Sequence, residues 1–293
     1  MGRSETEVGG GQFGGAAMIE IRACAGFDEL EACVQLEIET WGYDMSDVLP
    51  RKAFLLAQKI GGQVIGAFDT ELAGRTPEDG PESLVGFALS WPGMKISERG
   101  PRAYLHSHML AVREGYRNRG LGAQLKLEQR REALARGIRH MEWTFDPLEI
   151  KNAYLNLHKL GAIACRYEEN FYGVSSSRLQ GGLPTDRLVA EWRLDSPRVK
   201  AALEGHPTEA RFIEEKIQER ISVPASISEW RASEADRERA LIVQMENRRR
   251  FQQAFSQGLA VLGFTRDAGG NGVYELGPLV NSEASLKSQG AKT

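Results

Sequence analysis

The sequence predicts an α/β fold, and three observations carry the prediction. Short alternating or apolar runs of strand type, such as Ile19-Glu20-Ile21-Arg22, interleave with longer stretches at helical spacing. A strand-like run, Tyr104–Val112, passes through a polar turn into a helix that opens with Arg117-Asn118-Arg119-Gly120-Leu121-Gly122. Beyond Pro197 the composition changes to charged, helix-forming sequence. The expected organisation is a glycine-rich, disordered extension over 1–17, a main domain over 18–195, a small C-terminal helix–hairpin unit over 196–280 and a disordered polar tail over 281–293.

Taken in order, Met18–Arg22 alternates as a first strand, and Asp28 can cap a helix whose Leu30, Cys33, Val34 and Ile38 share a face. An aromatic and acidic loop follows over Trp41–Pro50, then a second helix near Arg51–Ile60. Gln63–Asp69 and Leu84–Trp91 read as paired strands, and Pro92–Pro101 as a loop. After the glycines, Leu121–Arg136 is amphipathic and stops at Gly137. Ile138–Phe145 is a strand. Asp146-Pro147-Leu148-Glu149 has the composition of a helix start, with Asp146 as N-cap, for a helix ending at Gly161. Ala162–Tyr172 and Leu188–Leu194 are strands. In the C-terminal unit, residues 197–221 are expected to be helical in part and Glu234–Leu259 a long helix. Ala260–Thr265 with Val273–Leu276 forms a hairpin around Gly269-Gly270-Asn271-Gly272.

The bulk numbers exclude several classes. Lys+Arg is 37 and Asp+Glu 40, a balance without the basic excess of a dedicated nucleic-acid binder. The three cysteines, Cys24, Cys33 and Cys165, are scattered; they offer no metal spacing and fit a reducing cytoplasm. No apolar run approaches the roughly 18 residues of a membrane helix, and no signal-peptide core is visible.

The glycine turn is the strongest chemical signal. Glycines at a helix start let a ligand approach the backbone, the first N–H groups are free, and the helix dipole favours an anion. The site suits a phosphate or pyrophosphate. There is no Gly-x-Gly-x-x-Gly in a first βαβ unit and no Gly-Lys-Ser/Thr, so dinucleotide and P-loop readings fit less well.

The element order, Leu110-Ala111-Val112 at the strand end, Gly115–Gly122 after it, and Leu157-His158-Lys159-Leu160-Gly161 together resemble the GNAT superfamily of acyl-CoA N-acyltransferases over roughly 18–195. The resemblance implies a mixed, mostly antiparallel sheet flanked by helices and splayed near its middle. It implies acetyl-CoA as co-substrate and no metal. The pantetheine would lie on backbone near Leu110, Ala111 and Val112. The pyrophosphate would rest on Arg117, Asn118, Arg119, Gly120, Leu121 and Gly122. His106, on one strand face with Tyr104, His108 and Leu110 by simple alternation, falls where several family members carry a base. The family tyrosine that protonates the thiolate is replaced by Leu157, which leaves Tyr154, one turn earlier, as the candidate acid. Trp41, Tyr43, Asp44 and Asp47 lie in the region that covers the acceptor in the family, and Asn170–Tyr172 with Gly173–Arg187 is a second acceptor-side stretch. Arg248-Arg249-Arg250 reads as a solvated helix face.

The implied activity is acetyl transfer to a primary amine, of a small molecule such as an amino acid, by direct attack in a ternary complex. A succinyl or other short acyl donor, a protein acceptor, and a non-catalytic CoA-binding module are the alternatives. No nucleic acid or membrane partner is expected, and a homodimer is an open expectation.

Overall fold

The computed structural model describes residues 18–72, 83–97, 100–173, 175–177, 180–205 and 217–279. The disorder expected of 1–17 and 281–293 lies outside the described residues. Ten strands form one sheet: β1 (Ile19–Ala23), β2 (Gln63–Asp69), β3 (Leu84–Ser97), β4 (Gly100–Val112), β5 (His140–Phe145), β6 (Ile163–Glu168), β7 (Arg187–Arg193), β8 (Glu219–Val223), β9 (Leu259–Arg266) and β10 (Gly272–Pro278). Their spatial order is β1-β2-β3-β4-β5-β7-β6-β9-β10-β8, and among the described residues β4–β5 is the single parallel pair. The fold is therefore α/β with a mixed, mostly antiparallel sheet.

Helices cover both faces. On one lie α1 (Gly26–Trp41) and α2 (Arg51–Lys59), whose Leu30, Cys33, Leu36, Phe54 and Ala57 pack against Phe87, Leu89, Met109 and Ala111. On the other, α3 (Leu121–Ala135) sets Leu121 and Leu125 against Ile65, Val85 and Ala88. The same face carries α4 (Ile150–Ala153), α5 (Pro197–Glu204), α6 (Ile227–Ala232) and α7 (Arg237–Ser256), which close a second core around Trp192, Phe251, Phe264 and Tyr274.

Several local readings change. α1 begins at Gly26 rather than at an Asp28 cap, because Glu29 accepts the Ala25 N–H at 2.7 Å while bridging Arg22. Pro92–Ser97 is strand and not loop. Gly93 lets β3 pass tight against the Tyr104 ring, where any Cβ would collide. Asp146 does not cap a helix. It folds an Asx turn onto the Leu148 N–H at 2.8 Å and meets the buried Arg231 guanidinium at 3.0 Å, so α4 starts four residues later. From Tyr154 to Lys159 the helix is π-wound.

The C-terminal residues continue the sheet. β9 pairs with β6 through Ala164 and Val261, and β8, which periodicity did not reveal, pairs with β10. α7 then reaches back to the β6–β7 connection. Arg248 binds Asp186 in a bidentate pair at 2.9 and 2.8 Å and Glu169 at 2.8 Å, Tyr167 donates to Asp186 at 2.7 Å, and Gln244 donates to the Pro184 carbonyl at 2.7 Å. Arg249 pairs with Glu246 and Arg250 with Glu219, so this basic run is neutralised within the chain, and Arg248 is not part of a solvated face.

Two stability effects follow. Phe251 is fully buried between the Tyr167 and Tyr274 rings, and Phe251→Ala is expected to cost about 3–5 kcal/mol, read as a fall in the urea midpoint. Arg248→Ala leaves the buried Asp186 carboxylate without its cation, at a cost of about 3–5 kcal/mol. Amide exchange should then accelerate in residues 169–173 and 180–186.

Candidate acyl-transfer site

The site begins where two strands part. β4 and β5 pair at Leu105–Met141 and His106–Glu142 and nowhere else. Ser107 to Val112 and Trp143 to Phe145 therefore face each other across a V-shaped gap, and the β4 backbone edge has no strand partner there. On its other side β4 carries one extra residue: Leu89 and Ser90 of β3 oppose Met109 and Ser107, which makes His108 a bulge. The bulge corrects the alternation. Leu110 packs with Val112 on the α3 face, while Met109 and Ala111 pack on the α1 face. Tyr104, His106 and His108 stay together, His108 stacked on Trp91 at 5.0 Å and 6.1 Å from His106.

At the open end of the V, a short 3-10 turn (Glu114–Tyr116) leads into the glycine turn. Asn118 and Gly120 both hold positive φ, 61° and 81°, which turns the chain sharply into α3. Arg117, Asn118, Arg119 and Gly120 are exposed, Leu121 is buried and anchors the helix, and Gly122 leaves its surface open beside Leu110 and Leu155. Arg117 spends its Nε on the Val112 carbonyl at 2.8 Å, and Arg119 lies over the Tyr116 ring. The free N–H groups and the N-terminus of a 15-residue helix fit a pyrophosphate.

At the closed end the apex is bracketed by charge. On the α1 face Glu142 accepts from Lys95 of β3 and, at 2.8 Å, from Arg166 of β6. Burial alone would raise this carboxyl, but hydrogen bonds from His140 and Lys95 and the neighbouring Arg166 hold it at about 2. His106 beside it is pushed below its ordinary value, chiefly by burial, so its imidazole is neutral near pH 7. Burial likewise takes His108 down to about 4. On the α3 face Lys126 is buried, donates to Ser107 Oγ at 2.7 Å and sits 3.7 Å from the Trp143 ring centre. Desolvation pushes its amine well down, and Lys126 forms no ion pair among the described residues.

Over the V, on the α1 face, the two acceptor-side loops meet. Ser176 donates its hydroxyl to Asp47 at 2.6 Å and accepts the Asp44 N–H at 3.0 Å, and Ser177 reaches the Trp41 carbonyl. Trp41 stacks on Tyr43, and the Tyr172 hydroxyl pairs with Thr144 of β5 at 3.0 Å. Tyr154 stacks on His158 at 4.5 Å and lies near Arg266 of β9, whereas its neighbour Leu155 is the side chain that faces Gly122.

Sequence reasoning missed Lys126, Glu142 and Glu37. Glu37 had a visible signal, since it is a carboxylate on the apolar stripe of α1. Lys126 and Glu142 had none, because their role depends on which strands diverge.

A family model described as the acetyltransferase (GNAT) family matches residues 30–162. No curated protein matches the chain. Among solved structures, Arabidopsis thaliana NAA60 in complex with acetyl-CoA is 19% identical, with TM-score 0.46, over 60% of this chain and 99% of that one. Salmonella typhimurium yncA with its cofactor acetyl-CoA is 18% identical, TM-score 0.46, over 61% and 95%. The ribosomal-protein-S18-alanine N-acetyltransferase of Escherichia coli is 15% identical, TM-score 0.43, over 61% and 96%. The family match spans the glycine turn, both sides of the V and the helix ending at Gly161, and over residues 30–162 this chain is similar to the acetyltransferase (GNAT) family.

Proposed function

We propose that the chain transfers an acetyl group from acetyl-CoA to a primary amine of a small molecule, such as an amino acid, by direct attack in a ternary complex. The observation that carries this reading is the parting of β4 and β5 beside the glycine turn. N–H groups from Asn118 to Gly122 receive the pyrophosphate. The unpaired β4 edge from Ser107 to Val112 receives the pantetheine, which brings the thioester toward the apex. The bulge at His108 leaves backbone free to stabilise an oxyanion. His106, neutral and next to the apex, takes the proton that the attacking nitrogen sheds. Glu142, held ionised by Lys95 and Arg166, fixes the surroundings of that imidazole and is not itself the base. Tyr154 is turned toward β9, so the reading assigns the thiolate no dedicated acid and lets solvent protonate it. The reducing cytoplasm remains the proposed location. Among the described residues no helix is long and apolar enough to cross a membrane, and no group of acidic, histidine or cysteine side chains is arranged to hold a metal.

A second reading, a carboxylated short donor such as succinyl-CoA, is favoured by Lys126, a buried amine at the apex that forms no ion pair among the described residues. Thiol release measured with acetyl-CoA and succinyl-CoA against amino acids, other primary amines and peptides with free N-termini separates these readings. A preference for peptides would move the acceptor to protein. CoA binding without turnover across the panel would favour a non-catalytic module.

Gly120→Ala forces a side chain into left-handed backbone at about 1–2 kcal/mol, and CoA affinity measured by calorimetry should fall roughly tenfold. His106→Ala should lower kcat about 100-fold. In the wild type the base is active above its depressed pKa, so kcat at saturating acceptor should fall only below pH 6.5. The variant should lose that acidic limb.

A further inference from the structure

α1 carries a carboxylate where its apolar stripe calls for hydrocarbon. Leu30, Cys33 and Val34 face the sheet, and Glu37, on the same stripe, is 1% exposed. Its Oε1 accepts the Leu49 N–H at 3.0 Å. Its Oε2 is buried and has no hydrogen-bond partner among the described residues, and the same is true of Thr40 Oγ1, one turn further along the helix. Buried polar atoms without partners are rare, and two on adjacent turns point to a polar group that arrives with a ligand.

Their position says which ligand. Tyr43 is raised to about 12 by burial and then by the nearby Glu37 and Tyr172. The Leu49 N–H bond fixes Glu37 against the Trp41–Pro50 loop, which Asp44 and Asp47 join to Ser176 of the β6–β7 connection over the V. The carboxyl is itself pushed up to about 7 by burial, opposed by the Leu49 N–H. A cation at Oε2 would relieve the cost of ionising it there.

We infer that Glu37 Oε2, with Thr40 Oγ1, is the subsite that receives the ammonium group of the acceptor. The inference rests on the acyl-transfer reading above and narrows its acceptor to a primary amine that arrives protonated. Trp41, Tyr43 and Tyr172 give an apolar or aromatic body something to lie against. An N–H bond of the ammonium breaks, its proton passes to Oε2, and the electron pair stays on nitrogen, which becomes the nucleophile. The acid form of Glu37 returns that proton to solvent after the amide has left.

The test uses the full chain saturated with CoA and titrates phenethylamine against 2-phenylethanol, which has the same body without the charge. Wild type should bind the amine at least tenfold more tightly than the alcohol. Glu37→Gln should abolish that preference and leave CoA affinity within twofold, and Thr40→Val should reduce the preference about threefold. A Glu37→Gln protein that is folded and keeps the preference overturns the inference, as does a wild type that shows no preference or binds neither compound. If Glu37→Gln does not fold, Thr40→Val decides, and an unchanged preference overturns it. Normal CoA binding alongside such a failure removes the subsite alone, whereas absence of CoA binding in wild type removes the donor reading with it.

Discussion

Two strands that pair for two residues and then separate set the terms for the rest of this molecule. A parallel ladder abandoned in mid-sheet leaves backbone donors and acceptors facing a gap, and buried backbone groups need partners. The chain holds the separation open rather than healing it. The bulge at His108 bends β4 away, and Lys126 with Trp143 fills the α3 side of the apex. Lys95, Glu142 and Arg166 tie β3, β5 and β6 together just below it. The result is an unpaired backbone edge at fixed width, ending at a helix N-terminus.

The two faces of the sheet divide the work. The face of α3 to α7 is mostly apolar and supplies rigidity. The face of α1 and α2 gathers the titratable groups His106, His108, Glu142 and Glu37. Burial acts on each of them differently. It keeps the histidines neutral, while Glu142 overcomes it through two cations, and Glu37, with a single backbone donor, does not.

The C-terminal strands and α7 connect to this site through one buried ion pair. Asp186 closes the β6–β7 connection, and Arg248 holds it from α7. A region remote in sequence thereby supports the loop that carries Tyr172 and Ser176 over the V.

The sequence alone made legible the α/β class, the order of the main elements and the glycine turn that opens α3. Those depend on local signals: alternation in Ile19–Arg22, helical spacing in Leu30–Val34, and glycines at a helix start. It also carried the hairpin around Gly269–Gly272. Tertiary structure decided the rest. A one-residue bulge cancels the alternation that would put Leu110 beside His106, and nothing in the composition of Leu105–Met109 announces it. Asp146 has the composition of a cap, yet an arginine 85 positions later recruits it. β8 is too short and too charged to declare itself before β10 offers an edge. Glu37 was legible as a misplaced charge, but only packing shows that one of its oxygens is left without a partner, because hydrogen-bond satisfaction belongs to the assembled environment and not to the residue.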